Sequence, residues 1–180
     1  MPANDNAHSL RLIEAIRNIK GNDAANAFAD AHPLSKSADV HKKFHWACDI
    51  CTALNTQFSK EEANAIRRSC RCGDGKTMAR EISACIHKAG NIVEGCKLFS
   101  QKNKYAFLEY VTEHELIFGY YACVCSCIKR AEGTVPRRWC ECSVGYTEPM
   151  FKQLLGETVQ VTLIDTVKSG GNRCAFRIVW

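Results

Sequence analysis

The stretch from Tyr121 to Cys142 decides the fold predicted for the second half of the chain, and it reads YACVCSCIKRAEGTVPRRWCEC. Its cysteines alternate with other residues in two runs: Cys123, Cys125 and Cys127, then Cys140 and Cys142. Side chains on a β-strand alternate between faces, so each run predicts a strand with its thiols on one face. Gly133 lies between the runs and suits the positive φ of a tight turn. The stretch therefore predicts a cysteine-rich β-hairpin.

The register of this hairpin brings the thiols together. A turn at its centre places Cys125 opposite Cys140, and the same register places Cys123 opposite Cys142, with Cys127 beside them. Opposed side chains lie about 5 Å apart at Cβ, so four sulfurs can share a Zn²⁺ ion or an iron–sulfur cluster. Nearby cations would stabilise the thiolates: Lys129, Arg130, Arg137 and Arg138. The alternative is that small cysteines simply pack one buried face of a sheet.

A second group of metal-ligand residues precedes the hairpin: His41, His45, Cys48, Cys51, Cys70 and Cys72. The first four recur every three or four residues, which places them on one face of a helix. The cysteines give a C-x2-C-x18-C-x-C spacing similar to that of zinc sites. The alternative is again core packing, because Phe44 and Trp46 indicate that this helix buries large aromatic side chains. A ligand set shared between this helix and the hairpin is a further alternative.

Composition bounds the class of protein. The chain has 180 residues, a net charge of +5 and 12 cysteines. Its length suits one domain over residues 1–180, mainly helical over 1–110, with an antiparallel sheet and one short helix over 111–180. We expect a cytoplasmic protein, since no secretory signal and no apolar run of the ~20 residues of a membrane span is present. The mild, dispersed charge favours neither a membrane nor a nucleic-acid partner, and reduced cysteines are expected as metal ligands, reactive thiols or core residues.

Helical periodicity dominates the first half of the chain. A first helix is expected from Leu10 to Gly21 and a long one from Ala38 to about Gln57, and Ser59 is the expected N-cap of the next. A short helix is predicted from Lys104 to Tyr110. In the second half, two strands precede a short helix, Glu148 to Leu155, and two more strands follow it. We therefore predict an α+β fold in which a helical N-terminal half packs on an antiparallel sheet of order strand-strand-helix-strand-strand.

The segment from Trp139 to Ile178 carries a resemblance, and it reads WCECSVGYTEPMFKQLLGETVQVTLIDTVKSGGNRCAFRI. Its C-x-C run, its L-L-G helix end and its closing strand resemble the end of the 4-vinyl-reductase-like domain. They also resemble the family named after 2-aminothiazoline-carboxylate hydrolase, and a cysteine-rich uncharacterised relative of both. The resemblance implies a fold like that of small-ligand-binding domains in nitric-oxide signalling and vesicle-tethering proteins. It further implies a homodimer, a pocket for a small apolar or heterocyclic ligand and, as in some relatives, metal-binding cysteines.

Three functions stay open on these observations. The first is a small-ligand- or metal-binding domain whose hairpin holds Zn or an Fe–S cluster. The second, implied by the resemblance, is a hydrolase of a small sulfur or nitrogen heterocycle that uses a metal-activated water. The third is a redox protein whose thiols cycle to disulfides. Because the chain carries no G-x-S-x-G, Walker or G-x-G-x-x-G motif, no catalytic residue is assigned and its status as an enzyme stays open.

Overall fold

The computed structural model describes residues 4–180. Within these residues, the first part of the chain forms six helices: α1 (Ala7–Lys20), α2 (Asn22–Ala31), α3 (Val40–Gln57), α4 (Lys60–Ser69), α5 (Lys76–Ala89) and α6 (Ile92–Lys102). No helix of the described chain is long and apolar enough to cross a membrane.

Side-chain caps set the starts of these helices. The side chains of Asn6, Asp39 and Asn91 each accept a backbone N–H bond at the first turn of α1, α3 and α6. At α4, the Ser59 hydroxyl accepts from the Glu62 N–H while the Glu62 carboxylate accepts from the Ser59 N–H, which completes a capping box. The predicted long helix up to Gln57 and the predicted N-cap at Ser59 are therefore confirmed.

A four-stranded antiparallel sheet follows: β1 (Ala106–Thr112), β2 (Glu115–Tyr120), β3 (Gln160–Asp165) and β4 (Cys174–Val179). A long helix, α7 (Glu141–Leu155), separates β2 from β3 in the chain. The spatial order is β1-β2-β4-β3, so β2 pairs with both β1 and β4. A helical first half and an antiparallel sheet are observed, but the predicted strand order and the arrangement like that of the 4-vinyl-reductase-like domain are wrong.

The prediction of a β-hairpin over Tyr121 to Cys142 is wrong. Residues 121–136 form turns and irregular backbone, a 3₁₀-helix spans Arg137–Cys140, and α7 starts directly after it. Pro136 immediately precedes the 3₁₀-helix, with a φ of −54°, and its missing N–H suits a helix start better than a central strand. Gly133 does adopt a positive φ of 88°, yet it joins two irregular segments. The segment from Lys104 to Tyr110, predicted helical, contributes to β1 instead.

The chain divides into two compact units. The cysteine unit comprises the residues up to Arg71 together with Cys125–Cys142, and the sheet unit comprises Cys72–Val124 together with Ser143–Trp180. Each buries its own apolar side chains, such as Ile50 and Trp139 in the cysteine unit and Phe118 and Phe176 in the sheet unit. The single domain predicted over residues 1–180 stays a prediction.

The sheet unit depends on a close approach at Gly119 of β2, which lies opposite Phe107 of β1 and Ala175 of β4. A Cβ atom at Gly119 would collide with the Phe107 ring and with the carbonyl oxygen of Cys174. We expect Gly119→Ala to lower the free energy of unfolding by about 1–3 kcal/mol, the usual cost of overpacking. Urea denaturation of the variant measures this loss.

Gly73→Ala is the matched control, because a Cβ atom there meets only the Tyr146 ring, at 3.5 Å, an ordinary contact. It should leave the urea midpoint nearly unchanged. Equal stability of the Gly119→Ala variant and the wild-type protein would contradict this account of the sheet.

Candidate functional site

A buried guanidinium lies at the centre of the cysteine unit. Arg67, near the end of α4, is only 3% exposed. Its Nη2 donates to the backbone oxygen of Trp139 at 2.6 Å, and its guanidinium carbon lies 4.1 Å from the centre of the Trp139 ring. No carboxylate forms an ion pair with Arg67 in the described part of the chain. A buried cation normally has an anionic partner. The surroundings of Arg67 are therefore a candidate binding site.

Four cysteines act electrostatically on this cation. Burial acts to lower the pKa of Arg67, but the electrostatic effect of neighbouring cysteines raises it above its ordinary value: Cys142, Cys70, Cys51 and Cys125, in order of decreasing effect. These cysteines come from separate elements, since Cys51 lies on α3, Cys70 caps the C-terminus of α4 and Cys142 lies in the first turn of α7. Cys125 lies in the irregular segment after β2. We name Arg67 and these four residues the thiol cluster.

Two buried N–H groups at the cluster have no hydrogen-bond acceptor within residues 4–180. They are the Nε of Arg67 and the indole Nε1 of Trp139. An unsatisfied buried donor costs roughly 1–3 kcal/mol, and here both donors belong to side chains that stack on each other. The cluster therefore presents a cation and two donors suited to an anionic acceptor.

The most deeply buried thiol of the cluster is held in its neutral form. Burial raises the pKa of Cys51 to about 11, while Arg67, Arg138 and a backbone hydrogen bond from Trp139 act in the opposite direction. Burial also raises the pKa of Cys48, one turn earlier on α3, and the Asp49 carboxylate adds to that effect. Ionisation of Cys51 near neutral pH therefore requires a partner that replaces the proton.

Two other thiols of the cluster donate hydrogen bonds to backbone oxygens. The Cys70 sulfur donates to the backbone oxygen of Ile66 at 3.2 Å, and the Cys142 sulfur donates to that of Trp139 at 3.6 Å. Cys48, Cys125, Cys140 and Cys142 are partly buried against the apolar core of the cysteine unit, in which Cys127 is fully buried.

The remaining residues predicted as metal ligands are dispersed. His41 and His45 are exposed on α3, and Cys72 is exposed after α4. Cys72 and Cys123 belong to the sheet unit. Among residues 4–180, no three His, Cys, Asp or Glu side chains are placed together to hold a metal ion. The assignment of metal ligands from the sequence thus stays a prediction.

Sequence reasoning missed Arg67, the residue that organises the site. Its signal was present in the helical spacing of α4, where Ala63, Ile66 and Cys70 are buried and Arg67 lies on the same stripe. An arginine on an apolar helix face is usually assigned to the surface because its long side chain reaches water. Only the position of Trp139, brought in from 72 residues along the chain, identifies it as buried.

The sequence model of the Family of unknown function (DUF6144) matches residues 3–180. The chain belongs to this family. No curated protein matches the sequence. Solved structures that match include H-NOX proteins from Shewanella oneidensis: a crystal structure in the Fe(II)NO state has 14% identity and a TM-score of 0.44, covering 96% of this chain and 97% of that chain. An NMR structure of an H-NOX domain in the Fe(II)CO state has 13% identity, a TM-score of 0.45 and 97% coverage of both chains.

These comparisons correct the resemblance drawn from Trp139 to Ile178. The matching family is DUF6144, and the solved structures are H-NOX proteins rather than 4-vinyl-reductase-like domains or 2-aminothiazoline-carboxylate hydrolases. The C-x-C run that carried the resemblance also lies in a helical region here, from the 3₁₀-helix Arg137–Cys140 into α7. The expected relationship is therefore wrong. The TM-scores of the H-NOX structures are below 0.5, so these structures assign no function to this chain.

The raised pKa of Cys51 predicts a loss of stability in alkali. Below pH 9.0, its ordinary value, this thiol is protonated in the folded and the unfolded chain alike. As the pH rises toward about 11, the unfolded chain loses the proton first, so the free energy of unfolding falls. Urea denaturation of the metal-free protein across this window should show a shallower fall in Cys51→Val than in the wild-type protein. Identical slopes would show that Cys51 keeps an ordinary pKa.

Proposed function

We propose that the protein is a metal-binding domain in which the thiol cluster takes up a thiophilic metal centre, Zn²⁺ or an iron–sulfur cluster. The observation that carries this proposal is the buried Arg67, which has no carboxylate partner within the described residues and on which four cysteines act electrostatically. Thiolates are the ligands that Zn²⁺ and iron–sulfur clusters share.

Charge balance supports the proposal. A Zn²⁺ ion bound by four thiolates carries a net charge of about −2, on the formal charges of its ligands. Such an anion needs a neighbouring cation in a buried site, and the buried Arg67 supplies a positive charge. Arg138 lies in the same unit and acts electrostatically on Cys51. A neutral, fully apolar cysteine core would gain nothing from either cation.

The unsatisfied donors support it further. Metal-bound thiolate sulfurs accept hydrogen bonds, and such outer contacts orient the ligands and tune the metal. The Nε of Arg67 and the Nε1 of Trp139 lack acceptors among the described residues. Thiolates of the cluster would satisfy them, whereas protonated thiols are weak acceptors.

Binding requires that the thiols converge and lose their protons. Cys51 and Cys70 lie on or next to helices, and Cys125 lies in irregular backbone, which can adjust at a lower cost than a helix. Cys48 and Cys140, partly buried on the same core, are alternative ligands should one of the four stay unbound. Because each bound thiol must release its proton, metal affinity should fall as the pH is lowered.

The other two functions gain no support from the cysteine unit. Cys48 and Cys51 have the spacing of a C-x2-C redox motif, but burial raises both pKa values, while redox-active thiols have lowered ones. The hydrolase depended on the resemblance that the comparisons overturn. The metal proposal alone accounts for Arg67.

Anaerobic purification followed by elemental analysis tests the proposal directly. We expect zinc, or iron with acid-labile sulfide, at about one centre per chain, as expected for one four-thiolate site. In Co²⁺ titrations the wild-type protein should develop the sulfur-to-cobalt charge-transfer absorption of thiolate coordination. Cys51→Ser and Cys142→Ser should lose that absorption, while Cys85→Ser, at a buried cysteine of the sheet unit, should retain it. Absence of metal together with absence of the cobalt band in the wild-type protein would refute the proposal.

Arg67→Met separates a counter-ion from a structural residue. In the metal-free protein this change removes a buried charge that has no anionic partner, so the free energy of unfolding should stay unchanged or rise. Co²⁺ affinity should nevertheless fall about 10- to 100-fold, as for other residues that support metal ligands. Arg67→Lys, which keeps the charge, should recover part of the affinity. A destabilised metal-free Arg67→Met protein with unchanged Co²⁺ affinity would assign Arg67 a purely structural role.

A further inference from the structure

A recess separate from the thiol cluster lies in the cysteine unit, between the start of α3 and the irregular segment that follows Cys125. Its volume is about 420 Å³, within the ~300–1,000 Å³ range of small-molecule sites. Its lining is formed by Ala38, Asp39, Val40, Lys43, Ser126, Cys127, Lys129 and Arg130.

Positive charge dominates this lining. Lys43, Lys129 and Arg130 contribute three cations, and Asp39 contributes the one carboxylate among its residues. That carboxylate accepts a hydrogen bond from the Lys42 N–H at the start of α3. Backbone hydrogen bonds lower the pKa of Asp39, so it stays ionised. The recess thus has an excess of about two positive charges at neutral pH, on the ordinary pKa values of lysine and arginine.

A chain of hydrogen bonds leads from Arg11 through His8 to Ser126. Arg11 Nη2 lies 3.0 Å from His8 Nδ1, and since a guanidinium can only donate, Nδ1 accepts. The proton of the neutral His8 ring is then on Nε2, which lies 3.3 Å from the Ser126 hydroxyl oxygen and donates to it. The hydroxyl therefore has its own proton available for an acceptor in the recess.

The pKa of His8 also reflects the positive charge of this region. Its pKa is lowered to about 4, first by burial and then by the charges of Arg11, Arg67 and Lys43. The ring is therefore neutral at physiological pH, as the hydrogen-bond chain requires. The same orientation excludes His8 as a general base for Ser126, because its Nε2 already carries a proton.

We propose that this recess binds the phosphate group of a small molecule, with Lys43, Lys129 and Arg130 as charge partners and Ser126 as a hydroxyl donor. A phosphate monoester carries about two negative charges near neutral pH, which match the charge excess of the lining. Its terminal oxygens accept several hydrogen bonds at once, and a guanidinium fork binds two of them. None of the charged residues of this site belongs to the thiol cluster.

Isothermal titration with phenyl phosphate and with inorganic phosphate, at constant ionic strength, tests this site. We expect saturable binding of at least one of them. Tighter binding of phenyl phosphate would identify a phosphorylated small molecule as the ligand, and equal or tighter binding of inorganic phosphate would identify the free anion. Lys43→Met and Arg130→Met should each weaken binding roughly tenfold, the loss expected for one charge-assisted hydrogen bond. Ser126→Ala should weaken it by a smaller factor.

Two control variants make the test specific. Lys42→Met removes an exposed cation one residue from Lys43 that does not line the recess, and it should leave affinity unchanged. Asp39→Asn keeps a good N-cap but removes the negative charge, so it should tighten binding, a result that an unfolded variant cannot produce. Equal losses in Lys42→Met and Lys43→Met, no gain in Asp39→Asn, or no saturable binding would each overturn the proposal.

Discussion

The electrostatics of the cysteine unit depend on the burial of Arg67 against Trp139. The indole ring offers an electron-rich face and the backbone oxygen of the same residue offers one strong acceptor, which together stabilise a guanidinium away from water. They do not neutralise it. The remaining charge is left to the surrounding cysteines, so the electrostatics of the core depend on whether those thiols carry protons, metal or neither. For this reason the thiol cluster is a better functional candidate than any exposed cysteine.

The sequence predicted those features that depend on neighbouring residues. Asp39 and Ser59 are recognisable caps, and the helix from Val40 to Gln57 follows from its periodicity. The prediction of a hairpin after Tyr121 failed because period-two spacing of cysteines does not by itself require a strand. Pro136, just before a helical turn, was the local evidence against one. The strand β1 was missed since pairing with β2, not local preference, determines its conformation.

The candidate site was predictable in composition but not in arrangement. Cys51, Cys70, Cys125 and Cys142 were all identified as metal-ligand candidates, as members of two groups or, in one alternative, of a set shared between them. Their association depends on the return of the chain to Trp139, a contact between residues far apart in sequence that no local pattern encodes. The recess near Ser126 was missed for the same reason: His8 and Ser126 are 118 residues apart, and the cations beside them were interpreted only as partners of hairpin thiolates.

The dependence of a buried cation on cysteines has a further consequence for the protein under oxidative stress. Carboxylates keep their charge in oxidising conditions, but thiols are converted to disulfides or to sulfenic acids. A disulfide within the cluster would remove two groups that can become anionic and leave the guanidinium of Arg67 with only the Trp139 ring and one backbone oxygen. Oxidants should therefore loosen the cysteine unit before the sheet unit, whose guanidinium pairs, Arg173 with Glu109 and Arg177 with Glu115, contain no sulfur.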